Sequence, residues 1–482
     1  MANSTLVASL GTMEISLWVA ADSSSSVAQT ALSQLTSQVS SGALSLQTYN
    51  PGQPVSTLPA TVAATVGMSG NVPVTQIATV TTAVFVPTVP AATVTAVGGG
   101  TTTIAGLAQI TLGGSASEVI NTDTSGDTVA IIGTNPSSTV IAGGGSNTVF
   151  LNAGSVGNVL LTGGNSYIGN SGSGSTTNTT LTGGPSLGDG RVMIDAGQGN
   201  SNVTVGNNGL VNVLQGGGSA NIMAQSGTVA VAISQLPGGS TVPAVATVTG
   251  STVSGSELIY IPDSGAAFIN PNASDVIVLG RGGSETLAGG TGSVTVFGGT
   301  GVFTGGGAGG NIMQTSTVNG VTTLIGAGSS DTLIAQAGGD VLRAGAGADV
   351  LAGMGSGTLG NTFISGTGTT TIFGGQAGHN TIELGSGSAV VYGQHGTVAA
   401  SPAADTYRLY QAGGSATIGD FVVGVDTFKL TQGYAANLSQ PAPSVAASVA
   451  VNGGKDLLVT LSDGTKLTFI KDGSASTGAI FS

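Results

Sequence analysis

From residue 110 to 400 the chain repeats one short phrase: a polar residue, a spacer, an aliphatic residue, then a glycine-rich turn. Asp127-Thr-Val129, Asn147-Thr-Val149, Asn158-Val-Leu160, Asn212-Val-Leu214 and Asn221-Ile-Met223 are early copies, stepping by 9, 10 or 11 where neighbours can be paired. The phrase is sharpest over residues 326–352, GAGSSDTLIAQAGGDVLRAGAGADVLA, where Asp331, Asp340 and Asp349 fall nine apart. Two residues after each comes Leu333, Leu342 or Leu351. A turn carrying a carboxylate, followed by a short strand burying one aliphatic side chain, is the nonapeptide pattern of a parallel β-solenoid. With two strands per coil, Asp331 and Asp349 stack at roughly the 4.8 Å strand spacing. Asp340 then faces the opposite edge, between Thr322 and Thr358. At this pitch residues 110–400 hold roughly 30 strands, or about 15 coils.

Elsewhere the pattern changes. Residues 12–20, TMEISLWVA, read as a strand. Residues 22–41 place Val27, Leu32, Leu35 and Val39 near helical spacing behind an N-cap at Asp22 or a following serine. Past residue 57 the chain is rich in Val, Thr and Pro, and its prolines argue against helix and against central strands. The spacing predicts irregular β structure or an arm that caps the first coil, as an exposed solenoid end requires. The expected organisation is a cap or assembly region over 1–110 and a solenoid over 111–225. An insertion or joint over 226–268, a β-roll over 269–400 and a C-terminal cap over 401–482 follow. In the 111–225 solenoid Asn holds most anchor positions, so stacked amides rather than charges are expected to tie its coils. The fold class is all-β.

Composition narrows the function. Of 482 residues, 84 are Gly and only 6% are charged, far from the ~25% of an ordinary soluble domain. The 21 acidic residues outnumber the 8 basic ones, for a formal charge of −13. That balance excludes nucleic acid, whose phosphates need Lys and Arg, and points to cations or neutral polysaccharides. No run of 18 apolar residues is present, so no membrane span is expected. The first residues lack a basic segment and carry Glu14, so no cleavable signal is expected. With no cysteine, disulfides and thiol chemistry are out.

Catalytic groups are scarce. His379 and His395 lie in turns with no carboxylate recurring beside both. Asp275 and Glu285 come closest to an acid–base pair, but their spacing puts them on opposite edges of one coil, not in a cleft. Arg191, Arg281 and Arg343 are the only arginines in the first 400 residues, too few for a polysaccharide lyase groove. The glycine-rich turns lack the lysine of a phosphate loop. No enzyme activity is expected.

Residues 326–352 resemble the calcium-binding nonapeptides of the repeats-in-toxin (RTX) family. ATIGDFVVGVDTFKL, residues 416–430, is similar to the segment that ends the β-roll in serralysin-like proteases and other type I-secreted proteins. Ile418, Asp420, Phe421, Gly424, Asp426 and Leu430 carry that match. The resemblance covers residues 270–482 well and 110–225 loosely. It implies a long parallel β-solenoid (β-roll or β-helix) with an N-terminal cap and a β-sandwich-like C-terminal cap. It implies Ca2+ between Asp331 and Asp349, with a partial site at Asp340 and turn carbonyls completing the shell. It also implies secretion, with the apolar GAIFS ending resembling an uncleaved secretion signal. The zinc motif of serralysins is absent. The expected function is that of a secreted bacterial structural protein that assembles with copies of itself into a filament, surface layer or biofilm matrix. The alternative is a soluble adhesin bound to cell-surface polysaccharide through residues 226–268. An aromatic content of 4%, with Trp18 the single tryptophan, favours the structural expectation.

Overall fold

The structure is a computed structural model. It describes the strands between Ser4 and Asp195 by their backbones, and most of residues 200–482 with side chains. Within the latter, segments 216–218, 236–244, 263–265, 281–283, 318–320, 355–358, 376–378, 394–403, 410–412 and 431–442 are not described, nor are residues 329 and 482. The helix expected over 22–41, Thr358 and His395 all lie outside the described residues. The chain divides into two compact units, Met1–Thr249 and Gly250–Ser482.

The protein is all-β, a parallel β-solenoid. In the first unit Ser4–Leu10 and Met13–Val19 form an antiparallel pair. Parallel stacking then starts earlier than expected. Leu46–Thr48, Ala64–Gly67, Thr82–Phe85 and Gly100–Ile104 pair in succession, so the Val- and Thr-rich stretch already supplies solenoid strands. Its β-branched residues suit a pleated surface without any polar anchor, which is why the repeat phrase did not reveal them. The ladder runs on through Asn200–Val205, Ser219–Ala224 and Val245–Thr249. Along Asn200–Val205, Ser201, Val203 and Val205 are buried while Asn200, Asn202 and Thr204 face outward. Among the described residues of the segment 226–268 no antiparallel hairpin pairing is present. Its strands Thr228–Gln235 and Val245–Thr249 pair parallel within the first unit, and Glu257–Pro262 and Ala266–Asn270 do so within the second.

The second unit has two parallel sheets, each burying one rank of side chains. In sheet I the rank is Tyr260, Val278, Val296, Met313, Leu333, Leu351, Ile372, Val391, Ile418 and Phe469. In sheet II it is Ile269, Leu287, Phe303, Leu324, Leu342, Phe363, Ile382, Tyr407 and Phe428. Every one is almost completely buried. In this unit the phrase marks much of the core directly, and each aliphatic contributes about 1.5–3 kcal/mol by leaving water. In Asn221-Ile-Met223 of the first unit it is one residue out of step, with Ile222 buried and Met223 50% exposed. The turns are glycine-rich because coils approach backbone to backbone: a Cβ on Gly345 would collide with the Ala327 carbonyl.

Coil length varies. Asp331 to Asp349 is 18 residues, but Asn311 to Asp331 is 20 and Asn380 to Asp405 is 25. The segment matched over 416–430 forms one more coil, with Ser415–Ile418 in sheet I and Thr427–Lys429 in sheet II. Only then does the direction reverse: Lys466–Phe469 pairs parallel with Ser415–Ile418, and Asp456–Leu461 and Val445–Val451 add antiparallel beside it. Tyr407, Phe421, Phe428, Phe469 and Phe481 pack ring to ring at this end, with centroids 5.2–6.2 Å apart. A short helix, Thr477–Ile480, tucks Ile480 into the core, so the apolar ending is folded against the last coil. Among the described residues no helix is long and apolar enough to cross a membrane.

Candidate functional site: two rows of buried carboxylates and amides

Each polar anchor sits where the chain leaves a turn and enters a strand, so its neighbours in adjacent coils lie directly above and below. Turn amides there have no ladder partner, and a buried N–H must find an acceptor. The short side chains of Asp and Asn supply it.

On one edge of the second unit the row is Asn311, Asp331, Asp349 and Thr370, all buried. The Asp331 amide donates to Asp349 Oδ1 at 2.8 Å, and the Asn311 amide to Asp331 Oδ1 at 3.1 Å. The second oxygen of each carboxylate closes its own turn. Asp349 Oδ2 accepts from the Gly345 amide at 2.7 Å, and Asp331 Oδ2 from the Ala327 amide at 2.6 Å. One oxygen therefore ties a coil to the coil before it, while the other holds the turn four residues back.

The opposite edge carries Thr322, Asp340, Asn361, Asn380, Asp405 and Asp426. Successive amides donate to the next residue's Oδ1: Thr322 to Asp340 at 3.0 Å, Asp340 to Asn361 at 2.9 Å and Asn361 to Asn380 at 3.0 Å. Asn380 to Asp405 at 2.8 Å and Asp405 to Asp426 at 2.9 Å complete the row. Asp340 Oδ2 accepts from the Thr315 hydroxyl at 2.8 Å. The neighbours expected for Asp340 were Thr322 and Thr358; the first stands, but the second position is taken by Asn361, because that coil is three residues longer.

Burial governs the charges. It raises the Asp340 carboxyl above its ordinary pKa, opposed by the Thr315 and Thr322 donors. It raises Asp349 too, against the Asp331 and Gly345 amides and with the Asp331 charge adding to the rise. Asp405 is pushed up to about 7 by burial, with the Asp426 and Asp420 charges contributing.

Sequence reading found Asp331, Asp340 and Asp349, and the structure stacks the first and third as expected, with Asp340 on the other edge. It missed Asn311 and Asp405, although Asn311-Ile-Met313 and Asp405-Thr-Tyr407 fit the same phrase. Calcium takes six to eight oxygens, and among the described residues no three acidic, histidine or cysteine side chains converge on one point. The three aspartates are placed as acceptors for backbone amides and a hydroxyl, so an ion bound between Asp331 and Asp349 would compete with those donors for the carboxylate oxygens.

The first unit repeats the device with amides on its outer face. Asn178, Asn202 and Asn221 stack in register, with Asn202 Nδ2 donating to Asn178 Oδ1 and Asn221 Nδ2 to Asn202 Oδ1, both at 2.9 Å. This is the amide ladder the Asn anchors predicted. Asp275 and Glu285 do not form a pair. Asp275 is exposed on sheet I and accepts from the Ser293 amide and hydroxyl. Glu285 points from sheet II into the core, 1% exposed, with neither oxygen hydrogen-bonded. Burial pushes its pKa up to about 7. His379 is exposed in a turn at φ 58°. Neither a protein-family model, nor a curated protein, nor a solved structure matches this chain.

Proposed function

We propose that this chain is a structural protein that assembles with copies of itself into an extracellular filament, surface layer or matrix. The observation that carries this reading is the outer surface of sheet I in the second unit. One outward rank reads Thr295, Ile312, Thr332, Val350, Thr371, Val390, Thr417 and Thr468. The next reads Leu279, Phe297, Gln314, Ile334, Ala352, Phe373 and Tyr392. Neither rank holds a charged residue, and Leu279, Phe297, Ile312 and Tyr392 are 38–46% exposed. An extended apolar patch of this kind marks an interaction surface. Sheet II carries Arg343, Glu383, Arg408 and Lys429 on one outward rank, with Arg408 paired to Glu383, beside an uncharged rank that runs from Phe268 through Val302 to Thr427. Uncharged ranks of this kind, with the sheet I charges Asp275 and Lys466 kept to its margin, suit a subunit that packs through them. The resemblance of residues 416–430 to type I-secreted proteins supports an extracellular location.

Negative-stain electron microscopy and sedimentation velocity of the purified chain test the reading. Ordered filaments or sheets are expected. Monodisperse particles at every concentration would overturn it and favour a soluble adhesin.

A further inference from the structure

The strand Val445–Val451, VAASVAV, is the outermost strand of sheet I at its C-terminal end. It pairs antiparallel with Asp456–Leu461, and among the described residues no strand pairs with its other edge. Residues 446–450 are all exposed, on both faces of the strand, with Val449 55% exposed. Alternate amides and carbonyls of an antiparallel edge strand point away from its one partner. Such an edge is a template for another strand, and soluble proteins guard it with lysine, proline, an inward charge or a bulge. This one has no lysine, proline or charge within its seven residues; its one irregularity is a bulge between Val445 and Ala447, and Ala447–Val451 runs in regular register beside its partner.

The strand is also close to a palindrome. Read antiparallel against itself about Ser448, Val445 meets Val451, Ala446 meets Ala450 and Ala447 meets Val449. A two-fold contact needs such self-complementarity, because the same patch serves both partners. Small side chains opposite one another, with no charge to repel, satisfy it.

We propose that this edge is a homotypic contact: Val445–Val451 pairs antiparallel with the same strand of a second copy, continuing sheet I from one molecule into the next. The inference rests on the self-assembly reading and names one contact, at the edge of sheet I, through which it acts.

Two variants test it on the whole chain. Val449→Lys puts a charge in the middle of an exposed edge strand, where folding does not need the valine. Unchanged circular dichroism and a rise of about tenfold or more in the concentration for half-association are expected. Ser448→Cys creates the only thiol in a chain without cysteine. Directly opposed residues lie about 4.5–5.5 Å apart between Cα atoms, within disulfide reach, so mild oxidation is expected to give a covalent dimer. Ser474→Cys, exposed outside the strand, is expected to remain monomeric. Association of Val449→Lys at wild-type concentrations, or crosslinking of Ser448→Cys no faster than of Ser474→Cys, overturns the proposal. If the wild type still assembles in either case, self-assembly stands and its contact lies elsewhere. A wild-type chain that stays monomeric sinks both.

Discussion

The backbone N–H of Asp331 donates to Oδ1 of Asp349, 18 residues later and 2.8 Å away. The same carboxylate holds the Gly345 amide with its other oxygen. One side chain therefore fixes both the stacking of two coils and the shape of one turn, at a site only 2% exposed.

Replacing Asp349 separates these roles. Asp349→Ala leaves two buried amides without acceptors, at a cost of about 2–4 kcal/mol. Asp349→Asn keeps one acceptor oxygen and costs about half as much. Urea unfolding followed by circular dichroism gives the ranking, and equal losses for the two variants would contradict a two-acceptor role.

Calcium gives a second check. Because the carboxylates are engaged by amides, millimolar calcium is expected to move the melting temperature by less than about 1 °C relative to EGTA. A resident ion bound to the folded state alone would raise it by several degrees through mass action. Such a rise, abolished by Asp349→Asn, would restore the calcium expectation at this edge.

Glu285 and Asp405 make stability pH-dependent. Both have pKa values raised to about 7 by burial, so the folded state holds their protons more tightly than the unfolded chain does. Their stabilising contribution is complete below about pH 4 and is lost as pH rises through about 7. The urea midpoint is expected to fall between pH 5 and pH 8, with Glu285 accounting for roughly 3 kcal/mol. Glu285→Gln is expected to flatten about half of that fall. A profile unchanged by the substitution would contradict a buried, titrating carboxyl.

The amide ladder of the first unit is expected to discriminate charge from shape. Asn202 donates to Asn178 and accepts from Asn221. Asn202→Asp keeps the acceptor but turns a carboxylate toward the Asn178 oxygen, costing about 1–2 kcal/mol. Hydrogen exchange of the Asn200–Val205 amides reports the loosening, and wild-type protection in the variant would count against the ladder.

Of the β-roll, much was readable along the chain. Leu333, Leu342 and Leu351 declared the two core ranks, and the 18-residue step declared that Asp331 lies beside Asp349. Both follow from local periodicity, since a parallel coil of constant length puts equal spacing into equal height. Of the strands before residue 111, Met13–Val19 was readable, but the parallel stacking of those from Leu46 to Ile104 was not, because Val and Thr alternation makes a strand without saying what it pairs with. Nor was the role of the aspartates: a carboxylate in a glycine turn has the same spelling whether it turns outward to an ion or inward to an amide.

The sequence alone determined the architecture, because each phrase encodes one strand and one turn independently of the rest. Only the tertiary structure decided the partners. Asn361, not Thr358, lies beside Asp340 because coil lengths add up along the stack, and a three-residue excess shifts the contact. Glu285 and Asp275, ten residues apart, face core and water because Glu285 shares the inward alternation of Leu287, while Asp275 lies one residue out of step with the buried Val276 and Val278.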